Sequence, residues 1–341
     1  MTVAAGSVAS RSGGEDRLAW GRAIASSVAV APALARWCAR ELWGLRPRRF
    51  ARSAAPSLEP VAQRALASLG WEAILAAGRP VVLSGVVDRW PLFGRSSPAD
   101  LRKALGREWV SVLVATAASR DFGRAWLARS RVRMTVASLL DEVFAKEPSG
   151  VRYYAWSVGL GALAAEVDRP DAIGGRNYLP SASSLWVGQA ENLTSLHYDH
   201  WHGFLGQLVG RKRVVLFPPS ETARLYAHSP FSPLAASTRL PADCLRASAG
   251  EFPRFARARG ADVFLEPGDL LYVPPYWWHQ AECLDASVSI TLRYDLTTRE
   301  SARSGSLPRR VAQARRDVAA LRDRLRGRAR EHRAATERTH G

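Results

Sequence analysis

Three side chains of this sequence have the types and spacing to hold one metal ion. His197 and Asp199 flank Tyr198 within the stretch Glu191-Asn192-Leu193-Thr194-Ser195-Leu196-His197-Tyr198-Asp199-His200-Trp201. Successive side chains of an extended backbone alternate between faces. An imidazole and a carboxylate two residues apart therefore point the same way and can occupy neighbouring positions around one cation. A third ligand has to come from far along the chain, and His279, in Pro274-Pro275-Tyr276-Trp277-Trp278-His279, is the candidate. Two imidazoles and one carboxylate leave the opposite half of the coordination sphere open, the donor set of mononuclear non-haem Fe(II) sites that use oxygen. An HxD tripeptide alone is weak evidence, because a hydrogen-bonded His–Asp pair and a satisfied core histidine are equally good accounts of these residues.

Such a site needs one strand for His197 and Asp199 and a distant strand for His279. From position 184 onward the chain reads as β structure. Strands are expected over 184–189, 203–209, 212–217, 262–265, 270–273, 279–283 and 287–294, separated by turn signals such as Gly210-Arg211 and Glu266-Pro267-Gly268-Asp269. Val288, Ile290 and Leu292 alternate with Ser287, Ser289, Thr291 and Arg293, the period of a strand with two unlike faces. Pro218-Pro219 ends the strand before it, since proline cannot donate to a ladder. Residues 220–261 are irregular and read as an insertion or lid. Many short strands with Gly/Pro turns make a jelly-roll or barrel, whose mouth can gather ligands from distant strands. Upstream, a helical entry is expected over 60–77, a short buried strand within 78–91, a capped helix over 97–105, strands over 109–114 and 151–158, and a helix over 135–144 with Thr135 as N-cap.

The chain has 341 residues, enough for a large core, and 47% hydrophobic residues with 12 Trp give it a globular composition. Its formal charge is +17, almost all of it from arginine; Lys103, Lys146 and Lys212 are the only lysines. Arg- and Ala-rich usage accounts for most of that charge, with an acidic partner as the alternative. Cys38, Cys244 and Cys283 show no paired spacing, which argues against a disulfide framework and a thiolate zinc site and favours a reducing, cytoplasmic setting. No apolar run reaches the roughly 20 residues of a membrane span. The stretch 23–35 is read as an amphipathic helix rather than a secretion signal, because Glu15 and Asp16 precede it. Residues 1–55 form an N-terminal extension, disordered and then helical over 17–45. Residues 56–300 form the main domain and 301–341 an Arg-rich helix. That tail has Val311, Val318, Leu321 and Leu325 at helical spacing, a face for packing or homodimerisation; nucleic-acid binding is the less favoured use.

The region 185–294 resembles the JmjC and cupin-like branch of Fe(II)/2-oxoglutarate-dependent oxygenases, and within it the asparaginyl-hydroxylase-like group. Three ordered motifs carry the resemblance: Asn192 through Asp199; Gly210-Arg211-Lys212-Arg213-Val214-Val215-Leu216-Phe217-Pro218-Pro219; and Pro267 through Pro274 followed by Tyr276-Trp277-Trp278-His279. Gly78 to Pro91 resembles the family's N-terminal segment, so the likeness spans roughly 60–298. It implies a mainly β, α+β fold, a cupin-like double-stranded β-helix with flanking helices. It implies Fe(II) on His197, Asp199 and His279, with O2 and 2-oxoglutarate as co-substrates, and hydroxylation of a peptide or small-molecule substrate with release of succinate and CO2. Lys212 would pair with the distal carboxylate of 2-oxoglutarate, joined by Thr194 and by Tyr154, for which Tyr153 is the rival. Two positions depart from the group: Gly203 and Arg293 stand where it carries asparagines. Arg293 either offers a cation to the co-substrate or an acidic substrate, or points outward to the surface. His200 and His202 fall on the opposite alternation and are read as substrate-side or structural. A non-catalytic cupin-like binding module is the main rival, and the two lost amides favour it.

Overall fold

In the computed structural model the chain's alternation of apolar and polar residues is resolved by folding two sheets onto each other, each with one face inward and one face covered. The structure describes residues 56–300 apart from positions 61–62, 117, 119–120, 123–130, 147–148, 230–231, 233 and 298. The N-terminal extension with the helix expected over 17–45, and the tail 301–341 with the helix and dimerisation face expected there, lie outside the described residues.

The upstream elements are β1 (Ser57–Pro60), β2 (Gln63–Ala65), α1 (Leu66–Ala77), β3 (Val81–Ser84), α2 (Pro98–Leu105), β4 (Trp109–Thr116), β5 (Arg131–Thr135), α3 (Val136–Val143) and β6 (Val151–Val158). After the small hairpin of β7 (Ala172–Ile173) and β8 (Arg176–Asn177) come β9 (Ser184–Gly188), β10 (Leu193–Tyr198), β11 (His202–Val209) and β12 (Lys212–Phe217). The last four strands are β13 (Arg259–Leu265), β14 (Leu270–Val273), β15 (Trp278–Cys283) and β16 (Ser287–Tyr294). One sheet runs β1-β13-β12-β15-β10 and the other β2-β3-β14-β11-β16-β9-β6-β4-β5. From β9 onward the strands divide between the two sheets in the order of a double-stranded β-helix, a cupin-like jelly-roll. The helix caps form where the sequence places them: Ser97 and Thr135 accept from the backbone N–H of Asp100 and Ser138.

Each sheet is covered on its outer face. Leu101, Leu105, Leu139, Leu140 and Val143 of α2 and α3 join Val112, Val187, Val288 and Ile290 in one apolar cluster against the larger sheet. The smaller sheet turns Leu196, Tyr198, Val215, Phe217 and Trp278 outward, where Leu225, Leu240, Phe252 and Phe255 of the irregular stretch 218–258 pack on them. That stretch is therefore a packed cover, not a free flap. It ends sooner than the sequence reading has it, because β13 begins at Arg259. The expected helical entry over 60–77 is also shorter: β2 occupies 63–65 before α1. The strands β1, β2 and β5 carry little periodicity of their own and are fixed by pairing with β13, β3 and β4. No helix among the described residues is long and apolar enough to cross a membrane.

Candidate metal centre

β10 and β15 pair antiparallel, and their register sets His197 directly opposite His279. The two imidazole centroids are 4.2 Å apart. Asp199 lies one residue beyond the end of β10, and Tyr276, held at a φ of 65°, donates its backbone N–H to the Asp199 carbonyl at 2.7 Å. Ligand-type atoms of His197, Asp199 and His279 all lie within 4.8 Å of one another. His197 Nδ1 is 2.9 Å from the Ser195 carbonyl and His279 Nδ1 is 3.0 Å from the Trp277 carbonyl. A carbonyl only accepts, so each Nδ1 carries the proton and each Nε2 keeps a free lone pair, the tautomer a metal ligand needs. Burial first, and then the neighbouring His197, push the His279 imidazole down to about 4, so it is neutral at physiological pH. Burial works to raise the Asp199 carboxyl, but Arg293 and the two imidazoles outweigh it and hold the group well below the usual carboxylate range.

The pocket containing these groups has an empty volume of about 630 Å³, its open mouth included, and Lys212 lies among its lining. Lys212, Val214 and Leu216 alternate inward from β12 while Val215 and Phe217 point outward. Lys212 is 3% exposed, its ammonium donates to Ser289 Oγ at 2.6 Å, and among the described residues it has no carboxylate partner. Burial lowers its pKa accordingly. A buried ammonium without a counter-ion is costly by several kcal/mol, and a ligand carboxylate would offset that cost. The Tyr154 hydroxyl sits 3.0 Å from Thr194 Oγ1, and both line the same pocket.

Two details of the backbone make this end of the pocket. Strict alternation would put Thr194 and His197, three apart, on opposite faces; the ladder of β10 with β15 slips between them, and the irregularity turns both inward. Gly188 is paired with Tyr154, and a Cβ at 188 would stand 2.6 Å from the tyrosine ring, so only glycine leaves room for that ring. Tyr154 thus faces the pocket, whereas Tyr153 packs against the outer apolar cluster.

The remaining sequence-selected residues divide clearly. Arg293 points inward rather than to the surface: Nη2 donates to Asp199 Oδ2 at 2.8 Å. Gly203 is its register partner across β11 and β16. Trp201 lines the pocket. On the irregular stretch 218–258, Tyr226 packs edge-on against Phe252 rather than lining the pocket. His202 is a buried structural group. Its Nδ1 meets the Tyr272 hydroxyl at 2.9 Å, and its Nε2 accepts from Arg176, which also pairs with Glu300. Ser289, the hydroxyl on Lys212, escaped sequence reasoning. It belongs to the polar half of the β16 alternation, a pattern that marks its face but not its partner on β12.

A family model described as "Cupin-like domain" matches residues 67–298. Among similar proteins, lysine-specific demethylase 8 of Xenopus tropicalis is 29% identical over 222 residues, which is 64% of this chain and 48% of that protein. Jumonji C domain-containing protein 5 of Drosophila melanogaster is 29% identical over 231 residues, 64% of this chain and 55% of that one. JmjC domain-containing protein D of Dictyostelium discoideum is 39% identical over a shorter stretch of 107 residues, 31% of this chain and 23% of the relative. The chain spans about half the length of the first two relatives, at 48% and 55%. With the matched span covering most of the chain and the strands from β9 onward in the order of a double-stranded β-helix, the chain belongs to the cupin-like JmjC family.

Proposed function

We propose that the protein is an Fe(II)- and 2-oxoglutarate-dependent oxygenase that hydroxylates a peptide side chain or a small molecule. The observation that carries the reading is Lys212, a buried ammonium with no carboxylate partner among the described residues, in the same pocket as an open two-His, one-carboxylate set. A dicarboxylate with a 2-oxo group fits such a pocket at both ends. Fe(II) held by His197, Asp199 and His279 would supply the oxidation of the 2-oxo acid by O2, coupled to insertion of an oxygen atom into a C–H bond.

The chain's own residues supply the rest. Ser195 and Trp277 carbonyls fix the imidazole tautomers and so aim Nε2 inward. Lys212 neutralises the far carboxylate, with the hydroxyls of Thr194, Tyr154 and Ser289 available to orient it. Trp186, Phe204, Val214 and Val273 line the space between and exclude water from it. The demethylase names belong to the relatives; the oxygenase reading for this chain rests on the pocket.

The test is oxygen-dependent formation of succinate from 2-oxoglutarate by the purified full chain with Fe(II) and ascorbate. Turnover that vanishes on omitting Fe(II) supports the proposal. Absence of turnover, together with absence of 2-oxoglutarate binding, would favour the non-catalytic binding module.

A further inference from the structure

Arg293 is held from several sides at the metal end of the pocket. Its Nη1 donates to the Ala182 carbonyl at 2.6 Å and its Nη2 to Asp199 Oδ2 at 2.8 Å. Its guanidinium lies over the Trp201 ring, 5.2 Å from the centroid, and its backbone N–H donates to Ser183 Oγ at 3.0 Å. Its Nε is buried without a hydrogen-bond partner among the described residues. The side chain is 13% exposed. This is a fixed guanidinium, held by Asp199 and the Ala182 carbonyl, and the residue opposite leaves the space beside it open. Gly203 pairs with Arg293 across the sheet, and side chains so paired stand on one face about 4.5–5.5 Å apart. Close packing does not demand glycine at 203, since a Cβ there would be 3.7 Å from its nearest neighbour, the Val273 carbonyl oxygen. What a longer side chain there would occupy is the space beside Arg293.

A carboxylate can bind a metal through one oxygen or both. A charge-assisted hydrogen bond to Oδ2 competes directly with the second mode. The count of positions makes this matter. Of about six positions around Fe(II), three go to the protein when Asp199 uses one oxygen, two to a chelating 2-oxo acid, and one remains for O2; a two-oxygen Asp199 would use that last position.

We propose that Arg293 is a positioning residue: it keeps Oδ2 of Asp199 off the metal so that one coordination position stays free, and Gly203 is the residue that lets the guanidinium reach. The proposal rests on the metal-site reading above. It makes Gly203 and Arg293 a single coupled feature and removes them as an argument against catalysis.

Crystal structures of the full chain loaded with Mn2+, as wild type and as Arg293→Met, test it. The wild type is expected to place one Asp199 oxygen on the ion and Arg293→Met both. In solution, binding of nitric oxide, an O2 surrogate, to the Fe(II)-loaded protein carrying N-oxalylglycine, a non-reacting 2-oxoglutarate analogue, is expected to weaken about tenfold in Arg293→Met because the last position is taken, while Mn2+ affinity holds or rises, as loss of a nearby cation favours the metal. Gly203→Leu, which keeps the arginine but blocks its path, is expected to give the same pattern and decides the matter if Arg293→Met does not fold. Two-oxygen binding in the wild type, one-oxygen binding in both variants, or a parallel fall of both affinities would overturn the proposal. A wild type that takes no Mn2+ at the triad would overturn the oxygenase reading as well, whereas a wild type that binds metal and analogue with unaltered variants would overturn only the role given to Arg293.

Discussion

The two walls of the pocket are built by different means. The wall from the smaller sheet carries His197 and Thr194 on β10, Lys212 on β12 and His279 on β15, and backbone register sets each of them. The facing wall carries Tyr154, Gly203, Ser289, Thr291 and Arg293 on β6, β11 and β16, and it acts through side chains that reach across to the first. Tyr154 meets Thr194, Ser289 meets Lys212 and Arg293 meets Asp199. One wall carries the candidate ligand atoms and the other hydrogen-bonds to its side chains. A motif is therefore readable where register fixes the partner, and hard to read where a long side chain chooses one.

The difference is most severely tested at Lys212. Lys212→Met removes the cation of the first wall, and affinity for 2-oxoglutarate or its analogue is expected to fall by about two to three orders of magnitude in calorimetry, the cost of leaving a buried carboxylate unpaired. Without ligand the same variant should be as stable as the wild type or more so, because an uncompensated buried charge is gone. Retained affinity would place the anion pole elsewhere in the pocket.

Behind the facing wall, His202 gives a pH test. Burial, outweighing the nearby Glu300, pushes its imidazole from 6.5 down to about 4. Between those two values the unfolded chain holds more protons than the folded one, so stability rises with pH across the window and is lost as pH falls from 6.5 towards 4. The loss should be about 2 kcal/mol in urea unfolding. A His202→Gln variant should show a flatter acid limb, and an unchanged limb would mean that His202 does not report its burial.

Gly188→Ala should cost about 1–2 kcal/mol through the clash with Tyr154, and weaken analogue binding because the ring must move. A variant with wild-type stability and wild-type binding would show that the tyrosine does not depend on this contact. The smallest effect belongs to the hydroxyl pair. Thr194→Val and Tyr154→Phe should each weaken analogue binding roughly fivefold, about 1 kcal/mol, without altering metal affinity. A loss of metal in either would mean the two walls are not separate in function.

Much of this was legible in the chain. The strands β6, β12, β14 and β16 follow the sequence pattern closely, because alternation and flanking Gly or Pro mark their ends. That His197, Asp199 and His279 gather at one point, with Lys212 in the same pocket, follows from residue type and from the motifs. Other features depended on partners that sequence spacing does not encode. The slipped ladder in β10 brings Thr194 and His197 to one side, β5 exists through its pairing with β4, and Arg293 turns inward because Asp199 and the Ala182 carbonyl receive it. The sequence left His202 as substrate-side or structural, and Tyr272 and Arg176 use both of its nitrogens, which makes it structural.

The central claim is that His197, Asp199 and His279 hold one metal ion. Anaerobic Fe(II) binding by the full chain, compared with His197→Ala, tests it most directly. The account predicts one Fe(II) per wild-type chain and its loss in the variant. Equal metal content in the two proteins would contradict it.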